Sequence, residues 1–281
     1  MTPAMRRGVG TSLFYVLAAI IVLVALFPFY WILITSIKTD AEFNQGTTSL
    51  LPTAFHLDVY AQLFAQNDFI VPLANSALVA LCTTLISLLA GVLAAYAMVR
   101  VIPGARQAIL GFILAVGFFP VIAMVGPLFF LFRDVELLNN YLALIISYLI
   151  YALPINVWIL VSIFSQIPKD MEEAGMVDGA TKLQVLWRIL LPIAVPGVFT
   201  SAILSFILSW NDYLFALSFM TDPSRYTAPL AIANLGQSQY HVFYNVIDAG
   251  VVITTIPIVV LVLIAQRRIV AGLAAGGLKG T

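Results

Sequence analysis

Ser201, Ser205, Ser209 and Asp212 recur at intervals of four, four and three residues. That spacing puts all four on one face of a helix. Tyr148 and Tyr151 share a face by the same rule, as do Thr83 and Ser87. With Asn156 and Asn211 they supply hydroxyls, planar amides and aromatic rings, groups suited to a neutral, hydroxyl-rich solute. Small polar side chains also serve to pack apolar helices together, so the spacing leaves lining and packing both open. Catalysis has no such constellation. The chain contains no G-x-x-x-x-G-K-[ST] loop, no G-x-S-x-G, no H-E-x-x-H and no Cys/His cluster. Its one cysteine, Cys82, excludes an intrachain disulfide and a Cys-based zinc site.

The elements that must hold these residues follow from composition. Of 281 residues, 62% are hydrophobic and 9% charged, and the mean hydropathy is +1.04. A soluble domain carries about 25% charged residues, so a soluble enzyme and a disordered chain are both excluded. Zero net charge leaves no basic field for nucleic acid. A helix crosses a bilayer core of about 30 Å with roughly 20 apolar residues. Six segments qualify, at about 13–37, 71–99, 107–132, 139–164, 195–219 and 245–266. The first follows Arg6 and Arg7 as a signal peptide would, but runs through Pro28 to Ile37. A signal core is only about 7–15 residues long, so this segment is expected to stay as a span.

Lys and Arg placement sets the direction. With the N-terminus inside and six alternating spans, Arg6, Arg7, Arg100, Arg106, Lys169, Lys182, Arg188, Arg267, Arg268 and Lys279 fall on the inner side, and Lys38, Arg133 and Arg225 on the outer. Ten against three predicts cytoplasmic termini. The outer stretches are then 38–70, with Asp40, Glu42, Asp58 and Asp68, and 220–244, with Pro223 and Pro229. The stretch 165–194 lies inside.

Prolines 28, 120, 127, 154 and 257 fall within spans, where each removes a helical hydrogen bond and favours a kink. Phe119–Pro127 is the most interrupted stretch, expected as a broken helix beside a pathway or as a fixed bend. Ionisable side chains in the spans are few: Asp212 and Asp248 sit near outer ends, and His56 and His241 in outer loops. A charge at the bilayer centre costs roughly 2.5–3.5 kcal/mol. The absence of a relay of such groups weighs against proton-coupled transport, and the missing nucleotide loop means that any uphill movement draws on a partner or an ion gradient.

The inner stretch encodes two short helices. Asp170 and Glu173 have the spacing of a capping box, Gly179 can end the first helix, and Thr181 with Gln184 forms a second box. Leu183, Leu186, Trp187, Leu190 and Leu191 then define one apolar face, and Pro192 precedes the fifth span. Such a pair can rest under the bundle or enter a groove on a partner.

This segment resembles the EAA loop of permease subunits in ATP-binding-cassette importers, whose pattern is E-A-A, three residues, Gly, nine residues, I-x-L-P. Here Glu173-Ala174-Gly175, Gly179 and Ile189-Leu190-Leu191-Pro192 keep the spacing, with Gly175 where Ala is usual. Trp210-Asn211-Asp212-Tyr213 resembles the W-N-[DE]-[FY] signature of the carbohydrate importers of the maltose-permease G-subunit type. Residues 272–280 resemble that family's G-L-T-A-G-A-V-K-G tail.

The resemblance covers essentially the whole chain. It implies an all-α integral membrane protein, six helices of the type I importer permease fold in one domain, 1–281, with a coupling loop at 165–194 and a cytoplasmic tail at 267–281. It implies no catalysis and no directly bound cofactor, with ATP and Mg held by a partner. Coupling to the ATPase would fall to Glu172, Glu173, Ala174, Gly175, Asp178, Gly179, Ile189, Leu191 and Pro192. Glu173 would make the ion pair, Gly179 the turn, and the tail would reach the ATPase dimer. The expected partners are a distinct second permease, two ATPase copies and an extracytoplasmic sugar-binding protein or lipoprotein, in a bacterial plasma membrane. The expected cargo is a disaccharide or oligosaccharide such as trehalose or maltose; the alternatives are the same architecture for a polyol or other neutral solute, or a stand-alone channel or secondary transporter. The pathway candidates are Tyr148, Tyr151, Asn156, Ser205, Ser209, Asn211 and Asp212.

Overall fold

A computed structural model of the chain describes residues 3–39, 42, 49–65, 68–235 and 242–277, with side chains from Thr11 to Gln266 among them. Asp40, His241 and Lys279 lie outside the described residues, as do the side chains of Arg6, Arg7, Arg267 and Arg268 and the end of the tail. The helices in chain order are α1 (Pro3–Ser36), α2 (Asp58–Ala65), α3 (Ile70–Tyr96), α4 (Arg106–Gly117), α5 (Val121–Asp134), α6 (Tyr141–Gln166) and α7 (Asp170–Val177). There follow α8 (Lys182–Val185), α9 (Leu191–Trp210), α10 (Leu214–Phe219), α11 (Ala228–Asn234) and α12 (Tyr244–Gly277).

Among the described residues five helical stretches are long and apolar enough to cross a membrane: Thr11–Ser36, Ile70–Val101, Tyr141–Gln166, Lys182–Trp210 and Tyr244–Gln266. The sixth expected span, 107–132, is a bent pair. Pro103–Gly117 and Val121–Asp134 meet at 83° across residues 118–120. Pro120 explains the place of the break, since it cannot donate to the preceding turn and opens α5 from an extended conformation. The interruption does not reach Pro127, which lies inside unbroken α5.

The fifth span differs most from the expected 195–219. Its helix ends at Trp210, and Leu214–Phe219 is a separate short helix. The Asp212 carboxylate accepts from the amides of Phe215 (3.1 Å) and Ala216 (3.4 Å). It satisfies the free donors of a new helix start and so favours a stop and restart there. At its other end the span does not begin after Pro192. It runs on from α8 through a π-turn, Leu186–Leu190, closed by the Leu191 amide on the Leu186 carbonyl. A wider turn ahead of a proline relieves its ring's clash with the carbonyl four residues back.

The chain divides into two compact units, Met1–Phe69 with Ile232–Thr255, and Ile70–Ala231 with Ile256–Thr281. In the first, α1 leaves most of its apolar length exposed. Its C-terminal end is anchored: the Ser36 hydroxyl meets the Tyr60 hydroxyl at 2.7 Å, and the Lys38 ammonium sits 5.0 Å over the Trp31 ring while donating to the Ser49 carbonyl.

In the second unit α3, α6 and α9 pack on one another. Glycines allow the approach. A Cβ on Gly91 would stand 3.3 Å from the Asn156 Cβ, and one on Gly197 would overlap Ile163. The end of this bundle nearest the loop between α6 and α9 is apolar, with Ala95, Leu160, Phe164, Leu186 and Leu190 fully buried. Another apolar cluster joins α5, α6 and α10, where the Phe132 and Phe219 rings meet edge to face at 5.2 Å.

Candidate functional site: a helix–turn–helix loop and a buried polar cluster

The loop between α6 and α9 is built around one glycine. Gly179 has φ of +86°, a conformation that costs an L-residue about 1–2 kcal/mol. The Ala180 amide bonds the Gly175 carbonyl (3.0 Å) and the Gly179 amide bonds that of Met176 (3.0 Å). This pair of bonds is a Schellman ending, and it turns the chain back on α7. The Thr181–Gln184 capping box then starts α8, with both reciprocal bonds formed, at 3.3 and 2.8 Å.

Two local expectations are corrected. The Asp170–Glu173 box does not form. Asp170 already lies within the helix, and the Lys169 carbonyl takes the amides of Glu172 (2.9 Å) and Glu173 (3.0 Å). The apolar face of the second helix is also turned. Val185, Leu186 and Leu190 are buried, while Leu183 and Trp187 are 57% and 40% exposed. Gly175 pulls α7 onto Val185 and Ile189, so the face carrying Leu183 and Trp187 is left outward.

The adjacent glutamates point opposite ways. Glu172 is buried against the Arg100 guanidinium, whereas Glu173, Ala174, Asp178 and Gly179 are exposed. With Met176 and the 87%-exposed Val177 they form an acidic and apolar rim on the turn. Gly175 is buried, and Ile189, Leu191 and Pro192 sit behind the rim or on the span rather than on it.

The pathway candidates separate into three groups. Asn156 is a hub. Its amide donates to Ser87 at 2.8 Å, and its oxygen accepts from Ser205 at 2.8 Å and from Ser201. All four residues are wholly buried between α3, α6 and α9, so Asn156 and Ser205 are satisfied as helix-packing groups. Asn211 is exposed, and its amide bonds the Ile207 carbonyl one turn back at 2.9 Å. Tyr148, Tyr151, Ser209 and Asp212 come together. The tyrosine rings lie 5.8 Å apart, Ser209 is beside Tyr151, and Asp212 is beside Tyr148. The hydroxyls of Tyr148, Tyr151 and Ser209 are buried without a well-formed hydrogen bond. Gathered side by side, these groups can bond one another or a polar occupant.

Sequence reasoning missed the residues that tie distant stretches together. Asn75 donates to the carbonyls of Ser224 (3.0 Å) and Tyr226 (2.9 Å) and accepts from Tyr141 (2.8 Å). Ser76 accepts from the Ala228 amide at 2.8 Å. Arg100 does the same work where α6 meets α7. None has a local spacing signal, because the partners lie far away in sequence.

This arrangement, apolar helices with one bent pair and a structured loop before the fifth span, is the type I importer permease fold. A crystal structure of a bacterial ABC transporter involved in the import of the acidic polysaccharide alginate superposes with a TM-score of 0.76 at 25% identity, over 95% of this chain and 98% of that one. Residues 87–274 match the family described as binding-protein-dependent transport system inner membrane component, and the chain belongs to that family. It is a multi-pass, non-catalytic permease subunit of an ABC importer, a family in which a partner ATPase hydrolyses ATP. The sulfoquinovosyl glycerol permease SmoH of Agrobacterium fabrum is 41% identical over 96% of this chain and 95% of its own length. The trehalose permease SugB of Mycobacterium tuberculosis is 41% identical over 94% and 96%. The trehalose/maltose permease MalG of Thermococcus litoralis is 37% identical over 98% and 100%.

Proposed function

We propose that this chain is one half of the membrane pathway of an importer for a sugar, a disaccharide or oligosaccharide such as trehalose or maltose. A distinct second permease supplies the other half. Two copies of a cytoplasmic ATPase bind ATP and Mg, and an extracytoplasmic binding protein delivers the sugar. The observation that carries the cargo class is the grouping of the buried hydroxyls of Tyr148, Tyr151 and Ser209 next to Asp212. A sugar offers donors and acceptors to such groups, and the aromatic faces suit its C–H surfaces. Relatives that carry glycosides and disaccharides by name support the same reading.

On the inner side, the exposed rim of α7 and its turn is the docking surface. Glu173 pairs with a cation of the ATPase and Val177 and Met176 fill its groove, an arrangement of apolar anchors and a charged contact. ATP-driven closure of the ATPase pair moves the docked loops and alternates access to the pathway. Both termini are cytoplasmic in this reading, which the distribution of basic residues supports.

Reconstitution tests the whole reading. The chain, its co-purifying permease, ATPase and binding protein are placed in proteoliposomes with radiolabelled trehalose or maltose. ATP-dependent uptake, abolished by Glu173→Arg with membrane insertion intact, is the expected result. Robust transport by the purified chain without an ATPase would overturn it.

A further inference from the structure

We infer that Arg100 and Glu172 form an internal strut that fixes the angle of the docking helix α7 to the span helices, and that Arg100 is therefore a positioning residue for transport. The inference rests on the reading of α7 and its turn as the ATPase-docking loop.

Three features carry it. First, one guanidinium grips both ends of the hinge between α6 and α7. Its Nε donates to the Glu172 carboxylate and its Nη2 to the Ile167 carbonyl at 2.8 Å. Ile167 follows the last residue of α6, and Glu172 is in the first turn of α7. Between them lie only Pro168, Lys169, Asp170 and Met171. Second, the pair is shielded, with side-chain exposures of 10% for Arg100 and 7% for Glu172. A surface ion pair is loose and screened, whereas a buried pair with each charge satisfied holds a defined geometry. Third, the backbone is shaped to aim Arg100. α3 widens into a π-turn at Ala97–Val101, closed by the Ile102 amide on the Ala97 carbonyl at 2.9 Å, and such turns re-aim the side chains they carry.

A second arginine reaches the same end of α6. Arg106 donates to the Ser165 hydroxyl at 2.9 Å and so binds the same end of α6, but it makes no contact onward to α7. Among the described hydrogen bonds, those of Arg100 join the turn after α3 to both the end of α6 and α7. The neighbouring glutamates then have separate duties. Glu173 faces the partner, and Glu172 holds the helix that presents it. A push from the ATPase on α7 passes to α3 and α6 through this ion pair instead of being absorbed at the hinge around Pro168.

The test uses the assembled transporter and normalises every reading to assembled complex. Arg100→Lys and Glu172→Gln should still recruit the ATPase, since Glu173 is untouched. Their uptake of radiolabelled trehalose or maltose per ATP hydrolysed should fall about tenfold, within the range of typical coupling free energies. The charge swap Arg100→Glu with Glu172→Arg should regain part of the loss, since it restores the ion pair but not the bond to the Ile167 carbonyl. Spin labels at the exposed residues Val101 and Met171, the latter on α7 but off the docking rim, give a readout independent of the sugar, with one narrow distance distribution in the parent chain and the swap, and a broad one in the single variants. A purely structural role would lower the amount of complex and leave uptake per ATP and the distance distribution unchanged; that result overturns the proposal. So does full coupling in both single variants. A parent chain that recruits no ATPase would instead bring down the importer reading, and the strut with it.

Discussion

Gly175 in α7 lies directly against Ile189 in the turn leading to α9, with no room for a methyl group between them. The departure from a second alanine in the E-A-A pattern is thus matched by a contact inside the loop. Gly175→Ala gains up to about 1 kcal/mol of helix propensity and loses about 1 kcal/mol or more by crowding the Ile189 Cδ1. The single variant should change the unfolding temperature little. Gly175→Ala with Ile189→Val, which removes the crowding atom, should be more stable than Gly175→Ala alone. A double-variant melting cycle that shows simple additivity would deny the contact.

Gly179 is the other glycine whose conformation matters. Its φ of +86° makes Gly179→Ala cost about 1–2 kcal/mol and opens the turn that carries the docking rim. ATPase co-purification should drop for Gly179→Ala and less for Gly179→Asn, since asparagine tolerates this region better. Equal retention by both variants would show that the turn does not set docking.

The Asn156 hub makes three side-chain bonds across helices. Interhelical hydrogen bonds in membrane proteins average about 0.6 kcal/mol each, so Asn156→Ala should cost about 2 kcal/mol. Asn156→Asp places a carboxyl where insertion of a charge costs about 2.5–3.5 kcal/mol, and should be the worse of the two. Denaturation in mild detergent reads the difference. Asn156→Asp as stable as the parent would place water or a cation at the hub.

Tyr151→Phe and Ser209→Ala separate pathway from packing. Both remove a buried hydroxyl that has no well-formed partner, relieving about 1 kcal/mol or more of desolvation cost. Melting temperature should hold or rise, while the KM for sugar uptake rises severalfold and ATPase recruitment is unchanged. Stability lost together with unchanged uptake would make these hydroxyls packing groups, like Asn156.

Much of the frame was legible without coordinates. The apolar runs located the helices within a few residues, since a bilayer core imposes their length. The Thr181–Gln184 box and the Gly179 turn were readable because both partners lie within a few positions of each other. The fifth span was misread at both ends for the opposite reason. Its stop at Trp210 depends on the Asp212 carboxylate turning inward to cap α10, and its start depends on a π-turn before Pro192. Hydropathy registers neither.

The sequence by itself determined the membrane class, the number of apolar segments, the loop's helix–turn–helix and its turn residue, because these follow from composition and from bonds between near neighbours. Tertiary structure alone decided which of two adjacent glutamates faces outward, which of the polar residues are spent in the Asn156 hub, and which are left unpaired beside Asp212. Those outcomes depend on how helices rotate and approach across dozens of intervening residues, through contacts such as Arg100 with Glu172 and Gly197 with Ile163, and local spacing carries no record of them.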